Sequence, residues 1–222
     1  MGIEERRGRE REARRLNIVR AARKLFYEKG FKDVTVSQIA RKAEISKGAV
    51  YLYFTSKEEI YSHILLSDLD NIYNVVLNSL KDGKSATKML EDFAEIYIDT
   101  FLKDRESFRK IMTFMLQTGH PNLSENLNQS LIKSTNKTID IVGTILLSGV
   151  ENREFPPNLD IWQNRNIIWG MLNGIISLYL FIGKEITREK VIKSMVRSGL
   201  NHLIEGIKNS TPQMSVLNQQ YV

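Results

Sequence analysis

The sequence predicts an all-α protein of about nine helices, and two observations lead to that prediction. Along the 222 residues, apolar side chains recur at spacings of three and four, as on one face of a helix, whereas the alternation typical of strands is nearly missing. The prolines also fall where the helical patterns break, at Pro121, Pro156, Pro157 and Pro212.

The first two predicted helices are each bounded by a recognisable residue. The first covers residues 10–29 and ends before Gly30, a residue type that favours the turn after a helix. The second opens at Thr35, which is spaced to form a capping box with Gln38, and it ends near Ala43. Apolar residues at helical spacing predict one buried face on each helix.

The third predicted helix runs from Lys47 to about Phe54, within the stretch ISKGAVYLYF at residues 45–54. Its Val50 and Phe54 are four apart, so both should point into a small shared core. Ser46 is a good N-cap, but Gly48 in the first turn is less favourable than alanine by up to about 1 kcal/mol. Tyr51 and Tyr53 stand two apart, so they cannot both be buried on one face of a helix. A helix with a bare tip and exposed hydroxyls indicates that a partner approaches this end closely.

Six further helices follow, and each is predicted from an apolar stripe. The fourth begins after the N-cap Ser56 and runs towards Leu80, with acidic residues in its first turn that suit the helix dipole. The others are predicted at residues 86–102, 105–117, 123–150, 159–182 and 187–208.

All of the net positive charge lies in the first third of the chain. Residues 1–66 hold 15 Lys and Arg against 9 Asp and Glu, whereas residues 67–222 hold 17 of each. This asymmetry favours a polyanionic partner for the N-terminal part, although a merely solvated basic surface would have the same composition. The expected division is a three-helix domain at 1–60 that begins with a basic arm at 1–13, a larger helical domain at 61–210, and a flexible tail at 211–222.

Composition argues against several other classes of protein. Cysteine is absent, which excludes disulfides and thiolate chemistry and fits a reducing cytoplasm. The most apolar run, residues 167–182, is too short and too polar for a convincing membrane span. His63, His120 and His202 lack metal-binding spacing, and no glycine-rich phosphate loop or nucleophile elbow occurs. We therefore expect no enzymatic activity, no cofactor and no membrane partner.

Two short helices joined by a few residues, the second with a small, basic and aromatic tip, are typical of a helix-turn-helix. In that motif the N-terminal end of the second helix enters the DNA major groove, where a glycine lets the backbone come close. Lys47 would reach a phosphate or a guanine edge, and Tyr51 and Tyr53 would bond the DNA backbone. Thr35 and Lys57 would touch flanking phosphates. A helical hairpin unrelated to DNA is the alternative.

Residues 35–61, TVSQIARKAEISKGAVYLYFTSKEEIY, resemble the signature of TetR-family transcriptional regulators, and the preceding FYEKGFKDVTV resembles the family too. The resemblance is specific over about residues 14–62, and beyond them only the helical pattern and the length agree. By position, the resemblance implies DNA contacts at Thr35, Ser46, Lys47, Gly48, Tyr51, Tyr53 and Lys57.

Three positions depart from the family's pattern. Glu44 stands at the turn where the family usually has glycine, so the turn is either strained or tolerant of this residue. Ala49 and Leu52 stand where polar residues are frequent, which leaves fewer hydrogen bonds to bases. We expect Ala49, and secondarily Leu52, to contact a thymine methyl group instead.

The helix predicted at 159–182 is apolar nearly all round, so it must be buried on two sides, and a second subunit would supply the second surface. Its small residues would allow close approach of another helix, in a partner or in the same chain. The resemblance implies a homodimer built on the last two helices and a near-palindromic operator. The interface candidates are Gly170, Gly174, Ser177, Met195 and Leu203.

The resemblance also implies a small-molecule pocket in the second domain, whose occupation changes the spacing of the DNA-reading helices. Any single candidate would otherwise be ordinary core. Their aromatic and methionine-rich character favours a small hydrophobic effector that is elongated or planar. The candidates are Tyr97, Phe101, Phe108, Met112, Met115, Thr135, Thr138, Trp169 and Asn173.

The sequence is therefore interpreted as a ligand-responsive, dimeric DNA-binding regulator, with repression assigned from the family's usual behaviour. A non-sequence-specific or architectural DNA-binding protein is the alternative, and the confinement of charge to one end favours a specific reader. The arginine-rich segment at 6–15 would follow the DNA backbone, enter a minor groove, or form a solvated and partly helical tail.

Overall fold

The protein is all-helical wherever its structure is described. This computed structural model describes residues 2–80, 83–105, 108–109, 111–112, 124–181 and 188–209. Within these ranges lie eight helices: α1 Ile3–Lys29, α2 Val36–Lys42, α3 Lys47–Tyr51, α4 Lys57–Ser79, α5 Ala86–Lys103, α6 Glu125–Glu151, α7 Ile161–Phe181 and α8 Arg188–Lys208. The predicted fold class is confirmed. None of the described helices is long and apolar enough to cross a membrane.

Most helix ends lie within a few residues of their predicted positions, except the start of α1 and the end of α3. The helix predicted at 105–117 is helical at residues 105, 108–109 and 111–112, and its remaining residues lie outside the described ranges. The tail predicted at 211–222 lies outside them as well.

α1 begins at Ile3 rather than near Glu10, so most of the predicted basic arm is helical. The added turns consist largely of arginine and glutamate, which are good helix formers. Glu4 and Glu5 lie in the first turn, where the helix dipole favours acids. Arg6 donates to the Glu10 carboxylate at 3.0 Å, one turn further along the helix.

The chain divides into two compact units, Met1–Asn71 with Glu106–Thr135, and Ile72–Arg105 with Asn136–Val222. The first unit extends past residue 60 because α4 continues to supply its core, which includes buried Ile60 and Ile64. The functional boundary expected at residue 60 stays a prediction.

The core of the first unit contains an aromatic trio and an ion pair. The ring centroids of Phe26, Phe31 and Tyr61 lie between 4.8 and 5.5 Å apart. Burial, together with the nearby Asp68 charge, raises the pKa of the Tyr61 hydroxyl to about 12. Arg23 of α1 forms an ion pair with Asp68 of α4. These contacts fasten α1 to α4 and define the frame on which α2 and α3 pack.

In the second unit, the loop after α6 fixes the start of α5. Glu154 accepts hydrogen bonds from the backbone amides of Ala86 at 2.6 Å and Thr87 at 2.8 Å. These bonds satisfy two of the amides that the first turn of a helix leaves free. Phe155 packs on Gly149, where an added Cβ would overlap its ring. These contacts anchor the N-terminal end of α5, a helix that carries buried aromatic residues of this unit.

The turn between α2 and α3 contains Glu44 in a left-handed conformation, with φ at 58°. The amide of Glu44 donates to the carbonyl of Arg41 at 3.2 Å, and the amide of Ile45 donates to the carbonyl of Ala40 at 3.0 Å. This pattern is a Schellman motif, whose left-handed position favours glycine because a Cβ there approaches the following carbonyl. The expectation of a strained turn at Glu44 therefore has a structural basis.

Glu44→Gly should stabilise the protein by about 1 kcal/mol, because glycine removes the Cβ that disfavours the left-handed conformation. For a chain of this length, thermal denaturation should show a midpoint about 2–4 °C higher. Glu44→Ala is the matched control, since it removes the carboxylate but keeps the Cβ, and it should not reproduce the gain. Equal midpoints for the glycine and alanine variants would contradict strain at this turn.

Candidate nucleic-acid interface

α3 presents an open tip formed by its first turn. The Ser46 hydroxyl accepts a hydrogen bond from the amide of Ala49 at 3.1 Å, as its predicted role as N-cap requires. A Cβ added to Gly48 would meet nothing closer than the Ser46 Oγ, at 3.9 Å. Packing within the chain therefore does not require glycine at this position, and the space in front of Gly48 is open.

The two faces of α3 differ sharply in exposure. Val50 and Phe54 are buried in the core of the first unit, as predicted. Tyr51 and Leu52 are 48% and 75% exposed, and the Lys47 ammonium lies 6.0 Å from the centre of the Tyr51 ring. The surface offered by α3 is thus a lysine, an aromatic hydroxyl and an apolar side chain beside an unobstructed glycine.

α3 ends at Tyr51 rather than near Phe54. The amides of Tyr53 and Phe54 both donate to the carbonyl of Val50 at 3.0 Å, which tightens the chain into a turn. Tyr53 is consequently half-buried against the core of the first unit, whereas Tyr51 remains on the surface. The two predicted backbone-contacting tyrosines therefore differ in accessibility.

Thr35 forms the predicted capping box at the start of α2. Its hydroxyl accepts from the Gln38 amide at 3.3 Å, and its own amide donates to the Gln38 side-chain oxygen at 2.8 Å. The residue is exposed, so its side chain remains accessible from outside while it caps the helix.

Lys57 has a role within the fold that the sequence did not indicate. Its ammonium donates to the carbonyls of Phe31 at 2.8 Å and Val34 at 2.9 Å, and it lies 3.5 Å from that of Lys32. It also lies 4.3 Å from the centre of the Phe31 ring. The lysine at the start of α4 thereby ties down the loop between α1 and α2. A phosphate contact at Lys57 stays a prediction.

Three residues outside the predicted set position α3. Asn17 of α1 donates to the carbonyl of Ala43 at 3.0 Å, just before the turn that precedes α3. The Arg15 guanidinium lies 5.3 Å from the centre of the Phe54 ring and within 3.0 Å of the ring nitrogens of His63. Burial, followed by the Arg15 charge, lowers the pKa of His63. A neutral imidazole can accept a hydrogen bond from Arg15.

Sequence reasoning missed these three residues for identifiable reasons. Arg15 was assigned to the arginine-rich segment at 6–15, and His63 was considered only as a metal ligand. Their partners lie far along the chain, so no local spacing signals the contacts. Among the described residues, no cluster of histidines and carboxylates could hold a metal ion.

Three of the nine predicted effector-lining residues meet in the second unit. The Tyr97 hydroxyl donates to the Asn173 side-chain oxygen at 2.9 Å, and the rings of Tyr97 and Trp169 lie 5.0 Å apart. The Asn173 amide donates to the Trp169 carbonyl at 2.9 Å. Tyr97 is only 2% exposed, and burial raises the pKa of its hydroxyl far above the usual value.

The other predicted lining residues are distributed over both units. Phe101 and Thr138 are buried in the second unit. In the first unit, Phe108 and Thr135 are buried and Met112 is half-buried, while Met115 lies outside the described residues.

A surface cleft of 250 Å³ lies between α5 and α8, and none of the predicted lining residues contributes to it. Ile98 and Leu200 are among its apolar residues. Two of its charged residues, Arg197 and Glu95, form an ion pair at 3.1 Å. A third, Lys193, forms an ion pair at 2.7 Å with Asp99, which does not line the cleft. These charges already have partners within the chain.

The glycines of α7 do not pack against α8 of the same chain. Cβ atoms added to Gly170 or Gly174 would meet no atom within 4 Å. The close approach of α7 to α8 instead occurs at Gly199, where an added Cβ would lie 2.7 Å from the Met171 sulfur. Of the other interface candidates, Met195 is exposed, whereas Ser177 and Leu203 are half-buried.

Comparison with known proteins gives one consistent result. The family model of bacterial regulatory proteins, tetR family, matches residues 18–64. The fatty acid metabolism regulator protein of Bacillus subtilis is 22% identical over 194 residues, which cover 87% of this chain and 95% of that protein. All three relatives described here and below are regulators rather than enzymes, in agreement with the class that the sequence predicts.

Solved structures share the fold over most of the chain. PfmR from Thermus thermophilus, a TetR-family transcriptional regulator, is 26% identical with a TM-score of 0.63, and the match covers 86% of this chain and 99% of that one. The transcriptional regulator FadR from Bacillus subtilis, solved in complex with stearoyl-CoA, is 22% identical with a TM-score of 0.67. That match covers 86% of this chain and 98% of FadR.

Lys57→Ala should destabilise the protein by about 1 kcal/mol, because it leaves two partly buried carbonyls without their donor, and a buried group in that state costs about 1–3 kcal/mol. Urea unfolding followed by circular dichroism would measure the loss. Lys47→Ala is the matched control: it removes an exposed lysine without a backbone contact and should change stability by less than about 0.5 kcal/mol. If Lys57→Ala is as stable as Lys47→Ala, the lysine does not anchor the loop.

Proposed function

This chain belongs to the TetR family of bacterial regulatory proteins, and we propose that it is a repressor that binds a near-palindromic operator as a homodimer. A small hydrophobic effector releases it from the DNA. Because its partner is DNA, it acts in the cytoplasm. The observation that carries the proposal is the open tip of α3, where a glycine with no packing constraint stands beside exposed side chains suited to DNA.

The tip of α3 supports insertion into the major groove. Gly48 lets the backbone approach a base edge or phosphate, and the exposed Lys47 can bond a guanine edge or a phosphate. Tyr51 offers its hydroxyl to a phosphate, and Leu52 offers an apolar surface to a thymine methyl group. Ala49, half-buried beside them, would make the second methyl contact.

The phosphate contacts proposed beside the groove have unequal structural support. Thr35 and Ser46 are exposed while they cap α2 and α3, so both lie at helix starts that favour anions. Tyr53 is half-buried but keeps a polar tip. The Lys57 ammonium is occupied by backbone carbonyls, so any phosphate contact there would be shared with the loop it holds.

An exposed stripe on α7 supports the homodimer. Ile167, Gly170, Gly174 and Leu178 are spaced by three or four residues, and all four are exposed. Ile167 and Leu178 are 43% and 54% exposed, respectively. On α8, Val191 and Met195 are also exposed. Pairing of α7 and α8 with a second copy would bury these apolar groups and place two α3 helices in a two-fold arrangement.

The effector proposed is a molecule with a long acyl chain. The names of two relatives concern fatty acid metabolism and stearoyl-CoA, respectively. In this chain the cluster of Tyr97, Trp169 and Asn173 offers aromatic surface and one hydrogen-bonded polar pair. Because Tyr97 is buried, a ligand that reached the cluster would have to displace side chains between α5 and α7. Binding would thereby be coupled to a change in helix packing.

Selection of random duplex DNA by the purified protein at physiological salt should enrich a near-palindrome whose half-sites lie about one helical turn, or a multiple of it, apart. Sequencing of the bound fraction measures the enrichment. Gly48→Leu is the control, since a large side chain at the tip should abolish enrichment while leaving the fold intact. Binding without an enriched sequence would instead support a non-specific or architectural DNA-binding protein.

Stearoyl-CoA should bind next to Trp169, which can be tested because the chain has only two tryptophans. In Trp162→Phe, the remaining Trp169 should change its fluorescence on titration with stearoyl-CoA and not with coenzyme A. In the matched variant Trp169→Phe, the exposed Trp162 should not respond. At about 100 times the Kd, unfolding should also become about 2.7 kcal/mol less favourable. Stabilisation without a Trp169 response would place the ligand elsewhere, and neither response would exclude stearoyl-CoA.

A further inference from the structure

We propose that the N-terminal part of α1 is a second DNA-binding surface, in which Arg7, Arg11 and Arg14 contact phosphates beyond the groove entered by α3. The inference rests on the proposed function and adds a surface outside the helix-turn-helix.

The first turns of α1 extend past the core of the first unit. The first buried residue in the helix is Ile18, which belongs to that core. Residues 4–14 are helical and exposed throughout. At a rise of about 1.5 Å per residue, this segment has a length of about 16 Å. The chain therefore presents an ordered rod next to the domain rather than a loose arm.

The three arginines share one face of this rod, because they are spaced by four and three residues. The same spacing leads on to Ile18, and then to the buried residues Ala22 and Leu25. The arginines therefore continue, beyond the edge of the domain, the stripe by which α1 packs on its neighbours. On the core, this stripe is apolar; past the edge, it becomes positively charged.

Two neighbouring contacts show the direction in which this stripe points. On one side of it, Asn17 bonds the carbonyl of Ala43, which closes the turn before α3. On the other side, Arg15 stacks on Phe54, three residues after α3 ends. Because these two residues flank the stripe on the helix surface, the arginines overhang the side of the unit that carries α3. A duplex bound at α3 would pass on that side.

The charges of the stripe are available for a partner. Arg6 pairs with Glu10, and Arg15 lies near Glu12 and His63, but Arg7, Arg11 and Arg14 have neither a hydrogen bond nor an ion pair in the described part of the chain. Guanidinium groups bind phosphate oxygens in a bidentate manner. The three arginines on this face therefore do not stabilise the fold through polar contacts of their own in the described part of the chain. A polyanion could bind all three.

The length of the stripe also suits a DNA strand. Four and three residues at a rise of about 1.5 Å separate the arginines by about 6 and 4.5 Å along the axis. The stripe therefore spans about 10 Å, comparable to three nucleotides of one strand at about 3.4 Å each. Long arginine side chains cover the remaining difference, so two or three phosphates are within reach.

The test compares two triple variants that remove the same charge from opposite faces of α1. Arg7→Gln/Arg11→Gln/Arg14→Gln removes the stripe, and Arg6→Gln/Arg9→Gln/Arg20→Gln removes three arginines from the other side. Glutamine is a good helix former, so both variants should stay folded, which circular dichroism verifies. The probe is a duplex carrying the sequence that the wild-type protein enriches, extended by about one helical turn, or about 10 base pairs, at each end.

Loss of the stripe should reduce the slope of log Kd against log salt by between about 3.6 and 5.4 units, since each of the two copies in the proposed homodimer loses two or three phosphate contacts and each contact contributes about 0.9. Hydroxyl-radical footprints should also lose protection outside the half-sites. The opposite-face variant should keep the wild-type footprint and most of its slope. Equal slopes and footprints for the two variants would overturn the second surface.

The proposed function and this inference fail in different ways. If the wild-type protein enriches no DNA sequence, the proposed function is wrong and the inference is overturned with it. If the wild-type protein enriches a sequence, but removal of the stripe leaves the slope and the footprint unchanged, only the second surface is wrong.

Discussion

The position of α3, the helix proposed to enter the DNA groove, depends on one half-buried lysine. Lys57, at the start of α4, donates hydrogen bonds to the carbonyls of Phe31 and Val34, and its ammonium lies over the Phe31 ring. The loop that carries these carbonyls leads directly into the capping box of Thr35 and so into α2. A charged donor bonded to several carbonyls is stronger than a neutral one, because the charge is only partly exposed to water. The same lysine therefore sets where α2 starts and, through α2, where α3 lies.

α1 holds the other side of this arrangement. Asn17 bonds the carbonyl of Ala43 at the end of α2, and Arg15 lies over the Phe54 ring beside the His63 imidazole, whose pKa is lowered by burial. Between them, Glu44 occupies a left-handed position at some expense in stability. A helix of only five residues cannot hold its own position, so contacts from α1 and α4 must supply the rigidity that the proposed base recognition requires.

The second unit combines two properties that suit regulation. Its α5 helix is fixed at one end by Glu154 and buries Tyr97, whose hydroxyl donates a hydrogen bond to Asn173 of α7. A buried polar pair is stable while both members are bonded and costly when one is left alone. A ligand that separates the two groups must therefore satisfy them itself. This requirement would make the second unit selective for ligands that can bond both groups. It would also couple ligand binding to a change in the packing of α5 against α7.

Local interactions account for what the sequence by itself determined. The fold class, most helix ends, the capping box of Thr35 and the burial of Val50 follow from periodicity and from residues three or four apart. At Glu44 the family resemblance indicated a position that usually holds glycine and left strain or tolerance open, and the residue is left-handed there. These features need no distant partner. They were confirmed because the side chains that produce them are neighbours in the chain.

Tertiary structure alone decided the roles of Lys57, Arg15 and the pair of Tyr97 with Asn173. The partners of Lys57 lie more than twenty residues earlier, those of Arg15 about forty or more later, and Asn173 lies 76 residues after Tyr97. A long polar side chain has the same sequence signature whether it faces DNA, water or a backbone carbonyl. Only the folded chain shows which group it meets, since that depends on packing between helices far apart in sequence.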